Sequence, residues 1–338
     1  MGVPSGLVRS LLLLFVFAIA VSWSLQRPVK RHCIDQQVIQ PIQFRGLGDI
    51  GFDLSQATIP LQEIRSGGPP KDGIPSLSNP KIVSAAEATY LRGSDRVIGV
   101  ALGRESRAYP LAILNYHEII NDRIGEMPIA VTYCPLCDSA VVFDRQTPLG
   151  EREFGVSGLL YNSNVLMYDR SNGVVPSTES LWSQVKGEGV SGPGAGMKLT
   201  VLPMEVTTWA GWQNRNPNTT VVSSETGHRR NYQASPYAGY FQQPNLMFPA
   251  KPISNSLPLK QSVLGVWDDA HALAIPVSAF GGKSTHIERS LGNRKFTVAF
   301  DADDQTIRVV KADAGVQWIQ TFWFAWYAFR PETKIASR

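Results

Sequence analysis

The sequence predicts a β-rich α+β protein made of two duplicated, related halves of β-hairpins and short helices, and three observations predict it. "RVIGVALGRESRAYP" (96–110) and "SVLGVWDDAHALAIP" (262–276) align without gaps, with Gly99 and Gly265 each eleven residues before a proline, Pro110 or Pro276. "TTWAGWQNRNPNT" (207–219) and "TFWFAWYAFRPET" (321–333) share Thr, Trp-x-x-Trp, Pro and Thr at the same offsets. Finally, "IAVTYCPLCDSAVVFDR" (129–145) lies opposite "FTVAFDADDQTIRVV" (296–310), a β-branched and aromatic strand running into a turn and a second strand in both places.

In chain order, residues 1–24 are a signal peptide or an N-terminal membrane anchor. Arg9 precedes an apolar run from Leu11 to Val21, and Ala18-Ile19-Ala20 offers a small-x-small cleavage site. The run falls short of the roughly 20 apolar residues that span a bilayer, which favours cleavage. Arg27, Lys30 and Arg31 form a basic cluster just beyond it, of a kind that tends to stay cytoplasmic and so argues for neither outcome cleanly. Either outcome places the body outside the cytoplasm, as a secreted, periplasmic or outward-facing anchored protein. Residues 25–80 form an irregular lead-in that closes with the Gly- and Pro-rich "SGGPPKDGIPSLSNP" (66–80). The first half, 81–255, carries a Cys-Pro-Leu-Cys hairpin and a long extra segment. The second, shorter half spans 256–338.

Within the first half, "VIGVALGRESRAYP" is a hairpin around a polar, Gly-bearing turn. In "LAILNYHEIIND" the helical spacing of Leu111, Leu114 and Ile119 puts His117 on a short helix. Thr207 and Thr321 are candidate caps for helices that must stop before Pro217 and Pro331. Trp209 with Trp212, and Trp323 with Trp326, then share a helix face, and such faces belong to cores more often than to sugar-stacking platforms.

Composition removes several function classes. With 43% hydrophobic and 18% charged residues the chain has a real core. Its net charge of +4 is scattered, with no basic face or nucleic-acid motif, so nucleic acid is not a partner. Three cysteines are too few for a disulfide framework. "DADDQT" (301–306) lacks the glycine and glutamate of a calcium loop and reads as a solvated turn. Arg145 and Arg170, each ending an aromatic-Asp-Arg strand, read as salt-bridged strand ends. His228, His271 and His286 fit no triad spacing and no HExxH pattern. The residues identify no catalytic set and no organic cofactor site.

What remains is Cys134-Pro135-Leu136-Cys137, which the strand pattern places at a hairpin tip. A tight turn between strands points both sulfurs and several backbone N–H groups at one spot, the geometry of a thiolate–metal knuckle. Asp138 stands at the left-handed position such knuckles usually give to glycine. Two thiolates do not complete a structural zinc site, so the metal reading takes His117 as third ligand beside Cys134 and Cys137 and admits copper, zinc or iron. The same cysteines also support an extracytoplasmic thiol–disulfide protein, although a strand rather than a helix follows them. A non-catalytic scaffold or carbohydrate-binding module is the third reading. Partners stay unnamed, apart from membrane attachment through the N-terminal segment.

These stretches, together with "DGIPSL", "FGVSGLLYNSNVLMYDR" and "SLWSQ", resemble a family of bacterial and archaeal exported proteins classed as domain of unknown function 3179, whose hallmark is a TYCPLC-type segment. The resemblance runs from about Asp72 onward. It implies fold and export and is silent on activity. This chain departs from the family pattern at Asn216 and Arg330, where a histidine is expected before proline, and at Asp138, which replaces glycine.

Overall fold

A computed structural model describes Gly2, residues 51–171 and residues 178–337. The predicted signal segment 1–24 and Cys33 lie outside the stretch that fixes the fold. The described part is β-rich α+β: several sheets with four short α-helices, α1 Leu111–His117, α2 Trp209–Arg215, α3 Ala238–Phe241 and α4 Trp323–Phe329. No helix among the described residues is long and apolar enough to cross a membrane.

The first hairpin is β1 (Arg96–Leu102) with β2 (Glu105–Pro110). Pro110 ends β2 and leads straight into α1, which stops at Glu118, where φ is +56°. A meander follows: β3 (Ile119–Ile124), β4 (Met127–Cys134) and β5 (Ser139–Asp144), each antiparallel to the last. A further hairpin is β6 (Phe154–Tyr161) with β7 (Asn164–Asp169), extended by β8 (Leu181–Ser183). β9 (Glu205–Thr208) leads into α2, and β10 (Thr220–Val222) follows it. The remainder comprises β11 (Ser262–Trp267), β12 (Ala272–Pro276), a second meander β13 (Thr285–Leu291), β14 (Arg294–Asp301) and β15 (Thr306–Ala312), then β16 (Gln317–Phe322), α4 and β17 (Lys334–Ile335).

Two arrays share one strand order, β9-β1-β2-β10 and β16-β11-β12-β17. Registers agree as well. Gly99 faces Ala108 and Glu205, whereas Gly265 faces Ala274 and Ile319. The last strand is parallel in both, Val221 beside Ala108 and Ile335 beside Ala274. The first meander joins the second array: β5 pairs with β16 through Ala140 and Gln320, building one nine-stranded sheet.

Each array is locked by a tryptophan lying on a glycine. A Cβ added at Gly99 would stand 2.2 Å from the Trp212 ring, and one at Gly265 would stand 2.3 Å from Trp326. The indole N–H groups donate to Thr219 and Thr333, both at 2.8 Å. All four tryptophans of the two Trp-x-x-Trp pairs are buried, as a core reading requires and a stacking platform forbids. Helix capping departs from expectation. Thr208, one residue after the predicted Thr207, caps α2 by accepting from Gly211 N–H, and Phe322 precedes α4 with no side-chain cap. The strands simply run further: Thr207 and Thr321 still lie in β9 and β16, where Thr207 accepts from Arg215 and Thr321 donates to Cys137.

Gly265→Ala is expected to lower stability by about 1–3 kcal/mol, the usual range for overpacking a core. Gly239→Ala, with open space around it in a helix, should be neutral or slightly stabilising. Urea unfolding midpoints of the two variants check this, and equal midpoints would mean the ring yields freely.

Candidate functional site

The hairpin between β4 and β5 closes through Pro135, Leu136, Cys137 and Asp138, with Cys137 N–H donating to Cys134 O at 3.2 Å. Asp138 takes the left-handed conformation expected of it, at φ +47°. This tip is buried, with Cys134 1% and Cys137 0% exposed. Burial obliges its polar groups to find partners. Cys137 O accepts from Phe322 N–H at 2.8 Å and from the Thr321 hydroxyl at 3.1 Å. Leu136 O accepts from the Tyr240 hydroxyl at 2.8 Å. The Asp138 carboxylate takes a two-pronged bond from Arg96, at 2.9 and 3.1 Å, and a third from the Tyr133 hydroxyl at 2.7 Å.

A second tight turn meets the first. Asn162 and Ser163, joining β6 to β7, both have positive φ, the conformation of a two-residue type I′ hairpin loop. The turn aims the Ser163 carbonyl at the sulfurs, 3.2 Å from Cys137 Sγ and 3.9 Å from Cys134 Sγ. Behind it a closed amide network ties the two sheets. Gln184 Oε1 accepts from Ser139 Oγ at 2.6 Å and from Asn164 Nδ2 at 2.8 Å. Gln184 Nε2 donates to Thr132 Oγ1 at 3.0 Å and Ser139 O at 3.1 Å, and Asn164 Oδ1 accepts from Val185 N–H at 3.1 Å.

The two thiols are electrostatically unequal. Burial pushes the Cys134 thiol up, but hydrogen bonds from the Cys137 thiol and from the N–H groups of Val165, Cys137 and Leu136 outweigh it and leave the thiol below its ordinary value. Burial, reinforced by Cys134, drives the Cys137 thiol well above. The same turn therefore draws the two thiols in opposite directions, Cys134 towards thiolate and Cys137 towards the neutral thiol. Glu118 is the acidic neighbour. Only 7% exposed, its carboxyl is pushed well up by burial and then by Cys134, and it makes no hydrogen bond among the described residues. The Tyr237 phenol is raised by burial and by the same Glu118 and Cys134.

Of the residues singled out by sequence, Cys134 and Cys137 come together. His117 is fully buried and spends both ring nitrogens elsewhere, Nδ1 on Pro75 O at 2.7 Å and Nε2 on the Tyr232 hydroxyl at 2.6 Å. Burial lowers its pKa to about 4, so it is neutral at physiological pH. Among the described residues, no group of three or more His, Cys, Asp or Glu side chains could hold a metal ion. Reasoning from sequence missed Glu118, Ser163, Asn164 and Gln184. For the turn a signal existed, since "YNSN" between two apolar runs is hairpin-loop chemistry. Nothing in the spacing marked Glu118 over its neighbour His117.

Fold and site together define a β-rich α+β protein with a buried dithiol at a hairpin tip. Residues 71–319 match the family model described as "Protein of unknown function (DUF3179)", and the chain belongs to that family. No curated protein and no solved structure matches it.

Glu118→Gln should stabilise the protein in a pH-dependent way. The folded state keeps this carboxyl protonated above its ordinary value of 4.5, so the wild type loses stability as pH rises beyond 4.5, and an amide does not. Urea midpoints should coincide near pH 4 and separate steadily towards neutrality, the variant being higher. Parallel midpoints would mean the carboxyl is not protonated in the fold.

Proposed function

We infer that Cys134 and Cys137 form a redox-active dithiol that cycles between two thiols and one disulfide. The observation carrying this reading is the arrangement of the sulfurs: two free thiols, both buried at one hairpin tip and both against the Ser163 carbonyl, at 3.9 and 3.2 Å. Thiolate character on one cysteine and a proton on the other is the division of labour that thiol–disulfide chemistry needs, the first attacking and the second resolving. Backbone N–H groups of a turn do here what a helix N-terminus does in other dithiol proteins. Closing the Cys134–Cys137 bond releases two electrons to an oxidant, and reopening it takes two from a reductant.

The metal reading rests on the same two sulfurs, with His117 as third ligand for copper, zinc or iron. It draws less support, because the ring nitrogens of His117 already have partners and a two-sulfur site suits only a soft ion such as Cu(I). Export through residues 1–24 sets the dithiol outside the cytoplasm, where disulfides persist. The two halves, 81–255 and 256–338, are copies of one unit, and their matching strand order and register support this. In the second copy Asp301 and Asp304 stand where the first has Cys134 and Cys137, so only the first kept the thiols.

Thiol counting in a Cys33→Ser background tests the reading. Protein purified without reductant should yield two further titratable thiols after a reductant and unfolding, and none after a chelator and unfolding. Recovery of two thiols after a chelator alone, together with stoichiometric metal, would overturn the redox reading in favour of coordination.

A further inference from the structure

The turn "DADDQT" (301–306), solvated by its sequence, sends one of its carboxylates inward. Asp303 is exposed, whereas Asp304 is partly buried and lies against α2. Gly211 leaves the room for it, since a Cβ there would stand 2.3 Å from Asp304 Oδ2. Among the described residues this carboxylate makes neither a hydrogen bond nor an ion pair. It lines a cavity of about 320 Å³, at the lower end of the roughly 300–1,000 Å³ of small-molecule sites. The cavity lies where the two arrays meet. The β1–β9 side supplies Val206 and the cross-strand pair Arg96 and Thr208, and the β11–β16 side supplies Ser262 and the pair Leu264 and Gln320. Both meanders reach it, the first through Asp138 and the second through Asp304, Gln305 and Thr306. Gln305 is exposed and marks an opening to solvent.

Charge and hydrogen bonding narrow what fits. Arg96 and Asp138 hold each other through two bonds, at 2.9 and 3.1 Å, so their charges cancel and Asp304 is the wall's uncompensated charge. Two more wall residues carry a buried oxygen, Thr306 Oγ1 and Gln320 Oε1, with no hydrogen-bond partner among the described residues. The Gln320 amide nitrogen is already spent on Ser262 Oγ, at 3.2 Å. Val206, Leu264, Val277 and Ile307 make the rest of the wall largely aliphatic, and no wall residue is aromatic. An unpaired carboxylate beside unfilled oxygens calls for a positively charged N–H donor. The lack of aromatic rings argues against a quaternary ammonium, which ring faces hold, and against a stacked sugar. We propose that this cavity binds a small primary amine in its ammonium form, the charged group donating to Asp304 and the alkyl body lying on Val206, Leu264 and Ile307. The site is separate from the sulfurs and does not rest on the dithiol reading.

The experiment titrates n-butylamine, charged at neutral pH, into the full-length protein and follows backbone amide chemical shifts, with n-butanol, butyrate and tetramethylammonium as matched probes. n-Butylammonium should give saturable shifts at the 301–306 turn and around Gln320. Butanol should need at least about 10-fold higher concentration, the factor that one charge-assisted hydrogen bond carries. Butyrate and tetramethylammonium should give no saturable shift there. Asp304→Asn should weaken amine binding by at least about 10-fold, and Asp303→Asn, on the exposed neighbour, should leave it as in the wild type. Gly211→Ala keeps the charge but crowds the carboxylate. It should weaken binding too, and it carries the test if Asp304→Asn does not fold. Added salt should weaken the amine and leave butanol unaffected. The proposal is overturned if butanol or tetramethylammonium binds as tightly as butylammonium, if the amine binds unchanged to the folded Asp304→Asn or Gly211→Ala variant, or if no saturable shift appears at the turn. None of these outcomes alters the thiol count on which the dithiol reading stands.

Discussion

A hairpin tip leaves more of its backbone polar groups outside the ladder than almost any other part of a sheet, and tips usually give them to water. Here the tip from Cys134 to Asp138 is buried, and that constraint organises everything around it. Each group that water would have satisfied must be met by protein, at a cost of about 1–3 kcal/mol for any left unmet. The partners come from far apart: Phe322 and Thr321 from the last strand before α4, Tyr240 from α3, Arg96 from the first hairpin and Ser163 from a separate sheet. The tip is therefore where the sheets are fastened to one another, and the sulfurs sit at the fastening.

The same constraint explains the thiols. A sulfur atom buried in purely apolar surroundings keeps its proton. Cys134 is pulled the other way because hydrogen bonds from the Cys137 thiol and from the Val165, Cys137 and Leu136 N–H groups favour its thiolate. Cys137 faces the Ser163 carbonyl, an acceptor, which has nothing to offer a thiolate and suits a thiol. Two sulfur environments separated by a single turn thus set the two thiols apart. The strained Glu118 backbone contributes too, since its positive φ ends α1 abruptly and turns the chain directly into β3.

Much of this was legible in the sequence. The hairpins, the helix bearing His117, the buried tryptophan pairs and the CPLC tip with Asp138 in a left-handed conformation all follow from local pattern, because period, turn chemistry and φ preference act over a few residues. Thr207 and Thr321 were off by one as caps because β9 and β16 run on until the first tryptophan, and strand pairing, a tertiary matter, sets where they stop. Glu118 was illegible for a deeper reason. In "NYHEIIND" the histidine has the more familiar ligand chemistry, yet its ring bonds Pro75 and Tyr232, the latter more than a hundred residues away, and no local pattern marks the burial of the neighbouring carboxyl. Ser163 and Gln184 likewise matter through a meeting of two sheets that no window of sequence contains.

The seam between Ala140 and Gln320 has a further consequence for the life of the chain. Thr321 covers Cys137 from 184 positions downstream. A polypeptide emerging from its N-terminus makes the cysteines early and the residues that enclose them late, so for much of its synthesis the pair stands open to solvent. Long-range closure of this kind is slow, because the entropy of a large loop must be lost before the contacts form. During that interval the surroundings, and not the finished protein, decide whether the two sulfurs enter the core as thiols or already joined. The seam thus sets the moment at which the pair is sealed, late in the making of the chain.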